Sequence, residues 1–274
     1  MQVGFLFCHL FQFYIKMCNI HENSTSQNRL HLPIKNQKTM KRFLTALLSL
    51  AFLSAQAQTA DEVISKYSAA MGGLDAFNNI KSAKMTGIAT LQGMDLPITI
   101  QVINGKAFRI DVEVMGQSVV NSYKDGKGWK INPFGGAETA TDVEGAELLD
   151  YKAQASLSNS LMDYKARGHQ VELQGQEDVE GIKAHKIKLT SKDDGKVTTF
   201  YINSTDNMLL KSVSSREMQG QAVDVDTYYS DFKEFGGIKI AMTRSQKIMG
   251  QDFQTITLNN VELNVPVDEK VFDK

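Results

Sequence analysis

The residues able to do chemistry are few, and their spacing does not favour it. Nucleophilic and hydrolytic catalysis need a nucleophile, a base and an orienting group to converge, and the chain has no G-x-S-x-G, H-E-x-x-H or P-loop motif. Beyond residue 57 only two histidines occur, His169 and His185. His169 follows Gly168 at the start of a strand, where a surface role is expected. His185 shares a strand face with Ile187 and Leu189, which predicts a satisfied core or rim histidine rather than a ligand. Asp224 and Asp226 project from one face of a strand and could hold calcium if a neighbouring strand supplied further oxygens. With Val223, Val225 and Tyr229 on the opposite row, they read as the wet side of a half-buried strand. Asp193-Asp194-Gly195 reads as a turn. Trp129 follows a glycine-rich turn and could stack on a ligand, but a lone tryptophan reads first as a packing anchor. Both cysteines, Cys8 and Cys18, precede residue 58, so no thiolate or disulfide is available after it. The expectation is a protein with no catalytic residue, no metal site and no cofactor.

One compositional feature does bear on function. Nine methionines lie beyond residue 57, and Met85, Met94, Met115, Met218, Met242 and Met249 fall in segments that read as strands. β-Branched residues are the ordinary choice there. Methionine is flexible and polarizable, which suits a surface that repacks around variable apolar ligands, and equally suits filling gaps in a core.

The elements that would position these groups begin late. Met40 is followed by Lys41-Arg42, an apolar run from Phe43 to Leu53, and the small-x-small sequence Ser54-Ala55-Gln56-Ala57. The run is well short of the roughly 20 residues of a membrane-spanning helix, so 40–57 reads as a secretory signal peptide. Residues 1–39 read as a leader outside the native protein, with Met40 the expected initiator. Residues 58–274 then form a single exported domain, periplasmic or alternatively secreted, with no transmembrane segment. That domain carries 24 basic against 30 acidic residues. A net acidic balance with interspersed charges argues against nucleic acid as partner.

Thr59-Ala60-Asp61-Glu62 supplies a helix cap, and Val63, Ile64, Tyr67 and Met71 follow at helical spacing until Gly72-Gly73. A short second turn runs from Leu74 to Ile80. From Ser82 the period is two: Leu96, Ile98, Ile100 and Val102 form one apolar row, and Phe108, Ile110, Val112 and Val114 form the next. Arg109, Asp111 and Glu113 alternate onto the other face. Asn104-Gly105 sits between the rows as a hairpin turn. Asp142 to Tyr164 reads as a helix with Leu148, Leu149, Leu157, Leu161 and Met162 as its apolar set, a lid inserted into the meander. Strands resume at Gln170 and continue to Val265. About eleven strands in all predict a mainly β fold, a strongly curved open antiparallel sheet or incomplete barrel with a helical lid. Pro266 to Phe272 reads as a terminal turn that returns Val267 and Phe272 to the sheet.

Several stretches together carry a resemblance. They are the helix ending in Met71-Gly72-Gly73, the lead-in Ile80-Lys81-Ser82-Ala83-Lys84-Met85-Thr86-Gly87, the segment Tyr228-Tyr229-Ser230-Asp231-Phe232-Lys233-Glu234-Phe235-Gly236-Gly237-Ile238-Lys239, and the closing Val261-Glu262-Leu263-Asn264-Val265-Pro266. Thr59 to Lys274 thereby resembles the outer-membrane lipoprotein-sorting family with the LolA/LolB-like fold. That resemblance implies a monomeric periplasmic carrier whose bent sheet and helices enclose an apolar cavity for acyl chains of lipid or lipoprotein. It also implies an inner-membrane donor and an outer-membrane acceptor. Neither Arg109 nor Arg244 can be matched to the family's functional arginine. The expected cavity wall is Ile98, Ile100, Phe108, Ile110, Val112 and Val114, with Val63, Tyr67, Leu148, Leu149 and Leu161 on the lids. A solid core would use the same residues. The competing readings are a non-enzymatic partner-binding envelope protein, an envelope hydrolase built around His169 or His185, and an outer-membrane barrel. The last is opposed by the helices and by the lack of aromatic girdles.

Overall fold

The computed structural model describes residues 58–274 apart from 219–220. The leader expected over 1–39 and the signal peptide expected over 40–57 lie outside the described residues.

Among the described residues two helices come first, α1 (Ala60–Ala70) and α2 (Leu74–Asn79). Thr59 and Glu62 cap α1 reciprocally: the Glu62 amide donates to the Thr59 hydroxyl at 3.2 Å, and the Thr59 amide donates to the Glu62 carboxylate at 3.1 Å. Five hairpin-connected strands follow: β1 (Ser82–Leu91), β2 (Met94–Ile103), β3 (Ala107–Val114), β4 (Gln117–Lys124) and β5 (Lys127–Asn132). A 3-10 turn at Pro133–Gly135 leads to β6 (Ala137–Val143). The helical insert is α3 (Gly145–Gln154) and α4 (Tyr164–Arg167). Seven more strands complete the chain: β7 (Gln170–Val179), β8 (Ile182–Thr190), β9 (Val197–Asn203), β10 (Leu209–Met218), β11 (Gln221–Phe235), β12 (Ile238–Ile248) and β13 (Gln251–Leu263). A last 3-10 turn spans Glu269–Phe272.

The strands form one open antiparallel sheet of thirteen, in the order β6-β5-β4-β3-β2-β1-β13-β12-β11-β10-β9-β8-β7. Spatial order follows chain order, except that the first strand joins the last, so Ala83 pairs with Leu263 and Met85 with Val261. The two free edges, β6 and β7, are adjacent in sequence, and the α3–α4 insert connects them.

Two expectations are corrected. The sequence assigns no strand between Asn132 and the helix expected from Asp142, but Ala137–Val143 pairs with β5, and the sheet has thirteen strands rather than about eleven. The helix expected over 142–164 ends at Gln154, and 155–163 is non-helical. Ser156, Ser158, Asn159 and Ser160 compete for backbone hydrogen bonds and favour that break.

One face of the sheet and the inner sides of the helices share a continuous apolar core, which includes Val63, Tyr67, Phe77, Phe108, Leu161, Ile187, Ile202 and Ile238. A smaller cluster of Val179, Ala184 and Tyr201 lies apart from it. Lys211 stacks over Tyr201 and Tyr228, at 4.8 and 5.6 Å from the ring centres.

The C-terminal turn covers the row Arg109, Ser122 and Trp129, which are successive cross-strand partners on β3, β4 and β5. The Trp129 indole N–H donates to the Phe272 carbonyl at 2.8 Å, and the Ser122 hydroxyl donates to the same oxygen at 3.1 Å. The Arg109 guanidinium donates to the Val271 carbonyl at 2.6 Å, grips Asp111 and lies 5.5 Å from the Trp129 ring centre. Phe272 is fully buried beneath this arrangement. Trp129 and Arg109 are therefore parts of a structural clamp on the face opposite the Phe108 row.

Candidate functional site

The core does not fill the concave side. A cavity of about 430 Å³ remains between the sheet and the insert, within the usual size range of small-molecule sites. Its apolar wall comes from Met85, Ile100, Phe108, Ile110, Phe200, Ile240 and Leu258 on the sheet and from Tyr67 and Met71 on α1. The period-two alternation explains why the strands contribute so evenly: Met85, Ile100 and Ile110 are successive cross-strand partners, so their side chains share one face.

Segment 155–163 borders the cavity and is fixed by hydrogen bonds near its start and at its middle. At one end, the Gly105 amide donates to the Ala155 carbonyl at 2.8 Å, and the Leu157 amide donates to the Asn104 side-chain oxygen at 3.0 Å. The Asn104 amide group also donates to the carbonyls of Phe77 and Ile80, both at 2.9 Å. One turn residue thus ties α2, the β2–β3 hairpin and the insert together. At the middle of the segment, the Asn159 side-chain amide donates to the Tyr67 hydroxyl at 2.7 Å. Burial pushes the Tyr67 phenol above its ordinary range, so it stays neutral. α4 is joined to the start of α1 by hydrogen bonds from Tyr164 and Lys165 to Asp61. Salt bridges at Lys196–Asp150 and Lys152–Asp193 link α3 to the β8–β9 hairpin at 3.0 and 4.0 Å. These pairs are exposed and each contributes little.

Met71 and Gly72 anchor the other end of α1. The Lys239 amide donates to the Met71 carbonyl at 2.8 Å. A Cβ on Gly72 would lie 2.1 Å from the Gly237 carbonyl oxygen, and Gly72 has φ +112°. The two glycine pairs that carry the resemblance therefore meet in space, because only glycine permits that backbone approach.

Of the residues expected in the wall or lids, Ile100, Phe108, Ile110 and Tyr67 border the cavity. Val63, Ile98 and Leu161 are buried in the core away from it, and Val112 and Leu148 pack against that core. Val114 and Leu149 are half-buried outside both groups. A polar end, formed by Ser212, Ser214, Thr198, Tyr229 and Arg244, lies beyond the wall and lids expected from sequence. Alternation with Ile238, Ile240 and Met242 is the signal that places Arg244 on the inner face.

The remaining candidates lie elsewhere. His169 Nδ1 accepts from the Lys192 amide at 3.1 Å and holds a loop. His185 is buried on β8 near Gln176, and burial, followed by the positive charge of Lys66, lowers its pKa below the ordinary 6.5. Neither histidine borders the cavity. Asp226 faces Lys211 at 3.5 Å, and Asp224 is exposed. Met71, Met85 and Met162 border the cavity, whereas Met94, Met115 and Met249 are exposed around hairpin turns rather than in the wall.

No family model matches the chain, and neither does any curated protein. Solved structures do. A LolA superfamily protein from Nitrosomonas europaea has a TM-score of 0.54 at 11% identity, covering 80% of this chain and 99% of that one. A DUF1329 family protein from Desulfovibrio piger has 0.54 at 12%, covering 79% and 98%. A domain described as an outer membrane lipoprotein-sorting protein, from Vibrio parahaemolyticus, has 0.54 at 10%, covering 78% and 97%. Identities this low carry the architecture and nothing finer: the chain has the LolA/LolB-like fold.

Proposed function

We propose that the chain is a non-enzymatic carrier that shelters lipid, or the acyl chains of lipoproteins, in its concave cavity. It would act in the periplasm after export directed by residues 40–57, taking cargo from an inner-membrane donor and passing it to an outer-membrane acceptor. The observation that carries this reading is the cavity itself, a mainly apolar space bounded by a sheet on one side and a hydrogen-bonded insert on the other. Each methylene moved from water into such a space contributes about 0.8 kcal/mol, so a chain of ten already gains about 8 kcal/mol before the cost of ordering it. The lipoprotein-sorting description of the Vibrio neighbour is in keeping with this.

A fluorescent fatty-acyl probe tests the reading by equilibrium titration. Saturable binding that Ile110→Asp abolishes, with the circular dichroism spectrum unchanged, supports the carrier. Probe binding unaffected by Ile110→Asp would place the lipid elsewhere and refute it.

A further inference from the structure

The polar end of the cavity has a charge character that the domain as a whole does not. Over residues 58–274 acidic side chains outnumber basic ones, 30 to 24. Around the cavity the balance reverses: Arg167, Lys239 and Arg244 border it, and among the described residues no aspartate or glutamate does. Arg167 is already engaged by Asp163 at 2.7 Å. Arg244 forms no salt bridge among the described residues. It lies beside Tyr229, its cross-strand partner on β11, and the Tyr229 hydroxyl is 3.0 Å from that of Ser212. Ser214 and Thr198, themselves cross-strand partners, continue the hydroxyl lining.

Arg244 is six residues along β12 from Ile238, about 20 Å at strand rise. Ile238 is fully buried and borders the same cavity, while Arg244 is exposed. The cavity is thus graded, from an apolar interior to an outer end of one guanidinium and several hydroxyls. Hydroxyls donate or accept, but the five N–H groups of a guanidinium only donate, so the group that best completes this end is an acceptor with negative charge.

We propose that the Arg244 end of the cavity is an oxyanion subsite, and that the cargo is an anionic acyl lipid whose phosphate or carboxylate is held by Arg244 with Tyr229, Ser212 and Ser214 around it. The proposal rests on the carrier reading above and narrows it: the acyl chain supplies the affinity, and the oxyanion fixes which end of the lipid stays outermost. A neutral headgroup can accept a hydrogen bond from the guanidinium but gains none of the charge attraction an oxyanion does.

The test is isothermal titration calorimetry with monomeric oleate, oleoyl lysophosphatidate, neutral mono-oleoylglycerol and inorganic phosphate, each at low and high salt. One or both anionic lipids should bind about tenfold tighter than the neutral one, the tighter anion identifying the oxyanion. High salt should narrow the gap, and phosphate alone should not bind measurably. Arg244→Gln should erase the gap while leaving mono-oleoylglycerol within about twofold, and Arg244→Lys should keep part of it. Among the described residues Arg244 has no ion pair to lose, so these variants should fold normally. Neutral and anionic lipids binding equally well, or Arg244→Gln weakening all three lipids alike, would overturn the subsite and leave the carrier standing. No binding of any lipid to the unaltered chain would overturn both.

Discussion

The contact between Met71-Gly72 and the β11–β12 turn sets where α1 ends, and with it the position of Tyr67 and Met71 in the cavity wall. Gly72→Ala probes that contact, and the adjacent Gly73→Ala is its internal control. Both glycines have positive φ, +112° and +90°, so an alanine at either incurs backbone strain on the order of 1–3 kcal/mol. They differ in surroundings. A Cβ at Gly73 meets nothing within 4 Å, whereas one at Gly72 falls 2.1 Å from the Gly237 carbonyl oxygen and 2.9 Å from the Ile238 Cα. Backbone cannot yield as a side-chain tip can, so the α1 terminus must withdraw. Withdrawal breaks the hydrogen bond from the Lys239 amide to the Met71 carbonyl, about 1 kcal/mol. It also exposes part of Met71, which is buried, at a further cost of about 1–2 kcal/mol. Gly72→Ala should therefore destabilise the protein by about 2–3 kcal/mol more than Gly73→Ala, measured by urea unfolding at matched m-values. Equal losses for the two variants would refute the claim that this approach anchors the helix.

Two further outcomes follow from the buried polar groups. His185 has a folded pKa below its unfolded value of about 6.5, because burial and then Lys66 oppose its protonation. The unfolded chain therefore takes up the proton first, and stability contributed by neutral His185 is retained above about pH 6.5 and lost as pH falls through the folded value. Unfolding curves between pH 7.5 and 5 should show that loss and His185→Gln should flatten it; an unchanged slope would refute the assignment. Trp129→Phe removes the indole donor to the Phe272 carbonyl and the flat partner of Arg109, and should cost about 1–2 kcal/mol in chemical unfolding while leaving acyl-probe affinity within twofold. A selective loss of probe binding would mean that Trp129 serves the ligand after all.

Most of the sheet was legible because hairpin turns and strict alternation coincide. The Ile98–Ile100 and Phe108–Ile110 rows, with Asn104-Gly105 between them, read correctly as neighbouring strands. β6 was not legible, because Ala-Glu-Thr-Ala-Thr-Asp-Val is a largely exposed edge strand with no apolar face to alternate. The lid was read as one helix because Leu148, Leu157, Leu161 and Met162 suggest helical spacing across a segment whose serines and asparagine end the helix early. The cavity wall was legible only in part. Alternation identifies the inner face, but which inner residues border empty space depends on where the insert comes to rest, and that is fixed by long-range bonds such as Asn104 to Leu157 and Tyr67 to Asn159. The polar end is illegible for a different reason: Ser212, Ser214 and Arg244 occupy inward positions on strands, and an inner face is recognised in a sequence by its apolar residues.

The central claim is that the concave cavity carries an acyl cargo, and the most direct measurement is native mass spectrometry with lipid extraction on the chain purified from the periplasm without detergent. The account predicts a co-purifying acyl lipid or lipopeptide at up to one per chain, lost in Ile110→Asp while the fold persists. A chain that emerges empty and takes up no added lipid would contradict it.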